Sequence, residues 1–201
     1  MKPVNQHSIH CAIVILAAGQ SSRLGEAKQL LPYKGKSLLA QAVDTALATS
    51  IRPVVVVLGA RNEAVAGELE GKEVVTALNA AWEEGMGSSL RCGLEKARSV
   101  APETDAVIFM VCDQPYVTSD LLLQLVHTQE STLKPIVASS YGDQSGTPAL
   151  FSSKIFPALL EIKGDTGARK LIRQYADEVA TIPFPEGIID IDTPSDYETL
   201  M

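Results

Sequence analysis

The sequence predicts an α/β fold: an open, mostly parallel sheet with one antiparallel strand and helices on both faces. Three observations carry this. Short apolar runs recur at residues 13–16 (IVIL), Val54–Leu58 (VVVVL) and Ala106–Val111 (AVIFMV), too brief for helices and continuous enough for strands buried on both sides. Segments whose apolar residues fall at helical spacing separate these runs. A length of 201 residues suits one α/β domain with a full core, here residues 11–201 behind an N-terminal tail, 1–10.

The first strand, 13–16, empties into the small residues Ala17-Ala18-Gly19, then a polar loop, Gln20-Ser21-Ser22, then the spaced residues Arg23, Gly25 and Lys28. A glycine-centred turn at 33–36 precedes a helix over 37–48, which Ser37 can cap. Pro53 opens the second strand, and a short helix over 61–69 closes at Gly71. Residues 73–78 read as a weaker strand. Two glycines, Gly85 and Gly87, frame an irregular loop, and Ser88 or Ser89 can start a helix to about residue 98.

The strand at 106–111 ends in Cys112-Asp113-Gln114-Pro115, and Thr118, Ser119 and Asp120 cap a helix over 121–130. A strand at 135–139, a turn at 141–144 and a strand from Ser145 to Phe151 form a strand-turn-strand unit. Such a unit needs antiparallel pairing. Residues 152–160 read as helical, with a break expected at Pro157. A second glycine loop, 163–167, leads into a helix over 168–175, and Val179–Pro183 is a late strand. Alternation through 188–192 puts Asp190 and Asp192 on one face of a last strand, after which Thr193 or Ser195 caps a final helix.

The chemistry concentrates after the first strand. Small residues let a nucleotide lie on the backbone, whose N–H groups can face phosphates, while Arg23 and Lys28 supply charge. The P-loop is excluded because Gly25 is followed by Glu26-Ala27 rather than Lys-Ser/Thr. The dinucleotide fingerprint is excluded because Gly19 is not followed by x-Gly. Asp113 stands at the carboxyl end of a central strand, where α/β sheets bind ligands, and is the leading metal-ligand candidate. The glycine loop before Ser88 is a second anion-site candidate.

The stretch LAAGQSSRLGEAKQLLP resembles the signature L-A-A-G-x-S-x-R-x-G-x-x-K-x-L-L-P of the MobA-like nucleotidyltransferases. Its double alanine and its K-Q-L-L-P ending look more like the cytidylyltransferases of molybdenum cofactor than the guanylyltransferases. Further similar motifs are N-x-x-W-x-x-G-M-x-x-S-L from Asn79, D-Q-P from Asp113, G-x-P-A-L-F from Gly146, G-D-x-G-A-R from Gly164 and D-I-D-T-P-x-D-Y from Asp190. Leu24 departs from a common methionine.

The resemblance implies a Rossmann-like nucleotidyltransferase domain that moves CMP from CTP to the phosphate of a molybdopterin-type cofactor, releasing pyrophosphate. It implies catalytic roles for Arg23, Lys28 and Asp113, and nucleotide contacts from Leu16, Ala17, Ala18, Gly19, Arg23, Lys28 and Ser88. It places Mg²⁺, or Mn²⁺, on Asp113 and Asp192, with Asp190 the near rival of Asp192. It assigns acceptor contacts to Gly146, Thr147, Pro148, Gly164, Asp165 and Arg169, and points to a molybdenum hydroxylase apoenzyme as a partner. Three alternatives stay open: a guanylyltransferase of the same cofactor, a cytidylyl or uridylyl transferase on a sugar or polyol phosphate, and a non-catalytic cofactor carrier.

Composition narrows the classes further. Hydrophobic content of 46% with 20% charged residues marks a globular chain. A net charge of −7 without a basic run excludes a nucleic-acid groove. The sequence shows neither a secretory signal nor an apolar run of membrane-spanning length, so a cytoplasmic protein is expected. Cys11, Cys92 and Cys112 read as reduced packing residues, and His7, His10 and His127 as solvated ones.

Overall fold

The computed structural model describes residues 9–21 and 24–200. The first strand, β1 (Cys11–Ala17), is buried throughout. A two-stranded ribbon follows, β2 (Pro32–Tyr33) and β3 (Lys36–Ser37), where the sequence suggested only a turn. Next come α1 (Leu38–Leu47), β4 (Val54–Leu58), α2 (Asn62–Gly67), β5 (Val75–Leu78) and α3 (Met86–Val100). The second half holds β6 (Ala106–Val111), α4 (Ser119–Thr132), β7 (Ile136–Tyr141) and β8 (Gln144–Ser152). It closes with α5 (Phe156–Leu160), α6 (Ala168–Gln174), β9 (Val179–Pro183) and α7 (Pro194–Leu200).

Seven strands form one sheet in the order β5-β4-β1-β6-β8-β7-β9. β8 pairs antiparallel with both β6 and β7, and every other pairing in this sheet is parallel. The hairpin read at 141–144 is thus the device that inserts one reversed strand. Alternation along β1 sorts the core into two layers. Ile13 and Ile15 pack with Leu39, Val43, Leu122 and Leu125 on the side of α1 and α4. Val14 and Leu16 pack with Leu90, Leu94, Leu159 and Leu171 on the side of α3, α5 and α6. Helix α3 comes close because Gly93 has no side chain; a Cβ there would collide with Val14.

Four local expectations change. Helix α3 begins at Met86, capped by Gly85, so Ser88 and Ser89 lie inside its first turn rather than before it. Pro157 does not break a helix but opens one: it sits in the first turn of α5, where a missing N–H costs nothing. The last expected strand is absent. Pro185–Ile188 forms a 3-10 turn, and Asp190 and Asp192 lie on irregular chain. The reason is topological: β6 already has β1 on one side and β8 on the other, so no sheet edge is open there. The segment instead crosses the carboxyl end of β6, with the Ile191 N–H donating to the Asp113 carbonyl at 3.2 Å. Finally, Ile9 and His10 of the expected tail dock on the sheet, the His10 carbonyl accepting from the Asp105 N–H at 3.0 Å. Residues 1–8 of that tail lie outside the described residues.

Cys11 and Cys112 are buried and Cys92 is half-buried. Burial pushes the Cys112 thiol up to about 12. No helix among the described residues is long and apolar enough to cross a membrane.

Candidate active site

The chain leaves β1 at Ala17 and is tied down at once. Gln29, buried in the 3-10 turn Lys28–Leu30, donates from Nε2 to the carbonyls of Ala17 (2.9 Å) and Gly19 (2.8 Å). The carbonyl between them, Ala18, accepts from the Ala60 N–H at 3.1 Å. The Lys28 N–H donates to Ser21 Oγ at 3.1 Å. Gly59 lets β4 end flush against this loop, since a Cβ there would stand 2.7 Å from the Ala18 carbonyl and 2.8 Å from Trp82 Cβ.

A two-lobed cleft opens along the carboxyl ends of β1 and β6. The first lobe, about 400 Å³, is lined by Ala18, Gly19, Gln20, Gln29, Trp82 and Ser89. The second, about 720 Å³, is lined by Thr147, Arg169, Lys170, Arg173, Asp190 and Asp192. Leu16, Lys28, Met86, Val111, Asp113 and Asp165 face both, so the lobes meet at the Lys28–Asp113 pair.

At this junction Lys28 Nζ donates to Asp113 Oδ2 and to Asp192 Oδ1, the latter at 2.9 Å. Burial alone would lower the Lys28 pKa, but the two carboxylates override it and hold the ammonium above the usual lysine range. Asp190 is pushed the other way. Its carboxyl is raised by partial burial and by the charges of Asp113 and Asp192, with Lys28 opposing. Asp113 Oδ1 is buried and has no hydrogen-bond partner among the described residues. An ionised oxygen in that position is costly unless a cation meets it.

Two carboxylates that converge, one with an orphaned oxygen, are the donor set a hard divalent cation takes when substrate phosphates complete its shell. Among the described residues no three His, Cys, Asp or Glu side chains gather to enclose a metal by themselves.

The floor between the lobes is set by α3. Asn79 Nδ2 donates to Ser88 Oγ (2.7 Å) and Ser89 Oγ (3.0 Å), and Asn79 Oδ1 accepts from the Ala81 N–H at 3.0 Å. Ser88 Oγ also donates to the Gly85 carbonyl at 2.8 Å. The Ser88 hydroxyl is therefore spent on holding the first turn, and it is Ser89 that lines the first lobe. Gly85 (φ +101°) and Gly164 (φ +63°) both require the left-handed half of backbone space. The Gly87 N–H donates to the Gly164 carbonyl at 3.0 Å, which pins the glycine loop against α3 and brings Asp165 to the junction.

On the far wall, Arg169 Nη2 donates to Tyr141 Oη at 3.0 Å, and the guanidinium stands 5.6 Å from that ring's centroid. Gly146 makes room for the pair, since a Cβ there would collide with Tyr141 Oη. Thr147 Oγ1 donates to Gln114 Oε1 at 3.3 Å, and Gln114 Nε2 donates to the Gly187 carbonyl at 3.0 Å.

Of the residues singled out in the sequence, the cleft therefore gathers Leu16, Ala18, Gly19, Lys28, Asp113, Thr147, Asp165, Arg169, Asp190 and Asp192. Ala17 lies in the core under the sheet, Pro148 is buried with its carbonyl accepting from Ser139 Oγ, and Gly146 and Gly164 act through the space and turn they provide. Arg23 lies outside the described residues. Residues the sequence reading passed over are Gln29, Asn79, Gln114 and Tyr141. Each holds a neighbour of the site, and Gln29, Asn79 and Gln114 stand inside the quoted motifs without a role of their own there.

This fold and junction define a nucleotidyltransferase-type α/β domain. The chain belongs to the MobA-like NTP transferase family, whose domain matches residues 13–179. Among curated relatives it is 32% identical to purine catabolism protein PucB of Bacillus subtilis (strain 168), over 92% of this chain and 93% of that one. It is 32% identical to nicotine blue oxidoreductase of Paenarthrobacter nicotinovorans, over 80% of each. It is 25% identical to the molybdenum cofactor cytidylyltransferase of Escherichia coli (strain K12), over 92% and 93%. Of solved structures, Rv0371c from Mycobacterium tuberculosis H37Rv in complex with manganese is 29% identical, with a TM-score of 0.76 over 95% of this chain and 97% of that one.

Proposed function

We propose that this protein transfers CMP from CTP to the phosphate of a molybdopterin-type cofactor, releasing pyrophosphate. The observation that carries the reading is the pair of lobes meeting at Lys28 and Asp113, one bounded by the loop after β1 and the other by acids and bases together. The likeness to a molybdenum cofactor cytidylyltransferase over nearly the full length of both chains supports the substrate pair. The likeness to a manganese-bound structure supports a divalent metal.

In this reading an oxygen of the acceptor phosphate forms a bond to the α-phosphorus of CTP, and the bond from that phosphorus to the bridging oxygen of pyrophosphate breaks. The attacking oxygen is already anionic at neutral pH, so no side chain has to take a proton. The work of the protein is then alignment and charge neutralisation. Leu16, Ala18 and Gly19 present backbone to base and ribose, on a loop whose carbonyls are fixed by Gln29 and the Ala60 N–H. Lys28 offsets charge on the triphosphate and on the departing pyrophosphate, with Arg23 assigned the same task. Thr147, Asp165 and Arg169 orient the acceptor. Asp113 and Asp192 would hold Mg²⁺ or Mn²⁺, which when bound supplies Lewis-acid stabilisation of phosphate charge.

The test is pyrophosphate release with each nucleoside triphosphate, with and without the cofactor. Release is expected with CTP only when the cofactor is present. Asp113→Asn should lower turnover at least about a hundredfold, the scale of losing one electrostatic stabiliser, with the fold intact. Release driven by GTP would turn the reading to a guanylyltransferase. Absence of release with every triphosphate would discard transfer altogether and favour a carrier role, or a chemistry like that for which nicotine blue oxidoreductase is named.

A further inference from the structure

The Lys28 ammonium and a divalent cation need the same oxygens. Lys28 Nζ donates to Asp113 Oδ2 and to Asp192 Oδ1, and these are the two carboxylates the proposed reaction assigns to the metal. The backbone of Lys28 has little freedom to yield. Its N–H is tied to Ser21 Oγ, Ala27 before it is buried, and Gln29 after it is clamped to the carbonyls of Ala17 and Gly19. Its side chain is the mobile part, a flexible four-carbon stem ending in a compact charge. That stem borders both lobes, so the ammonium can leave the carboxylates for the first lobe without moving its backbone.

We infer that Lys28 is a resident counter-ion of the Asp113–Asp192 pair and competes with the divalent cation for it, so that the lysine itself limits how tightly metal binds before nucleotide arrives. This rests on the metal reading given above. Two cations cannot share one carboxylate pair at contact distance without strong mutual repulsion, and the partial burial of Lys28 and Asp113 sharpens the conflict. A triphosphate in the first lobe would give the displaced ammonium a new anionic partner. By linkage, whatever draws Lys28 away from the acids raises their affinity for metal.

The experiment is titration of the full chain with Mn²⁺ alone, no nucleotide added, with free Mn²⁺ followed by room-temperature electron paramagnetic resonance. Wild type is compared with Lys28→Met, which keeps the stem and removes the charge, and with Lys28→Arg, which keeps the charge. Lys28→Gln serves as a second neutral variant if Lys28→Met fails to fold, with thermal melting as the check. The expected result is Mn²⁺ binding at least about tenfold tighter in the neutral variant, little change in Lys28→Arg, and loss of the gain when Asp113→Asn is added. Mn²⁺ binding no tighter in the neutral variants than in a wild type that does bind overturns the inference and leaves the metal site standing. Mn²⁺ binding that Asp113→Asn does not weaken in any background overturns both.

Discussion

Gly85→Ala should damage the molecule out of proportion to one methyl group. The residue has φ +101° and ψ −176°, a conformation essentially reserved for glycine. Holding alanine there costs about 1–3 kcal/mol. Its Cβ would also stand 2.6 Å from the Gly164 carbonyl carbon and 2.7 Å from the Asp165 nitrogen. Those are backbone atoms, so the glycine loop itself must retreat, and overpacking of this kind adds about 1–3 kcal/mol. Together these give about 2 kcal/mol or more, a large part of the total stability of an ordinary domain.

For a chain of this size that is a fall in melting temperature of at least about 4 °C. The assay is thermal and urea unfolding followed by the fluorescence of Trp82, the lone tryptophan, which lines the first lobe. Gly167→Ala is the control. Its Cβ would meet nothing closer than Met86 Cγ at 3.6 Å, at an ordinary φ of −86°, so it should stay within about 0.5 kcal/mol of wild type. A Gly85→Ala protein that melts with wild type would refute both the strain and the close approach of the two loops.

Gln29→Leu should weaken triphosphate binding, read from Trp82 fluorescence, more than it weakens acceptor binding, because it frees the Ala17 and Gly19 carbonyls and leaves the second lobe intact; equal losses would show that the loop is not held this way. Asp192→Ala is expected to abolish metal-dependent pyrophosphate release and Asp190→Ala only to reduce it, since Asp192 and not Asp190 shares Lys28 with Asp113; the reverse ranking in a metal titration would transfer the role to Asp190. At pH 8 the folded protein should take up one equivalent of iodoacetamide, slowly, at Cys92. Burial pushes the Cys112 thiol well above its ordinary range and closes both Cys112 and Cys11 off from the reagent. Rapid loss of all three thiols would contradict the packing.

What could be read from sequence was whatever repeats locally. Val54–Leu58, Ala106–Val111 and Val179–Pro183 fall on the expected residues, because a run of β-branched or aromatic residues between breakers has few other uses. The reversed strand was legible through its hairpin. The strand expected at 188–192 failed for a reason no local pattern carries: its alternation is sound, but both sides of β6 are occupied. Ser88 shows the same limit, lying inside the first turn of α3 rather than before it. Its type suits a cap or an anion site, yet a residue nine positions earlier, Asn79, takes the hydroxyl. Lys28, Asp113 and Asp192 could be singled out separately, but nothing in their spacing shows that the lysine would rest on both acids.

The segment that carries Asp192 is anchored outside the main core. Ile191 is fully buried in a small cluster with Leu31, Tyr33 and Leu38, against which Tyr197 and Leu200 pack, and Tyr197 Oη donates to the Pro32 carbonyl at 2.6 Å. The chain just after Lys28 and the chain around Asp192 thus share one apolar clasp, although 164 residues separate the two ionic partners. During synthesis all strands of the sheet leave the ribosome before residues 190–200 do. A nascent chain can therefore complete its sheet while the lysine still lacks one of its two acids. The charge centre is finished only when the clasp closes, so ligand binding should appear after tertiary structure, as a separate and later step of maturation.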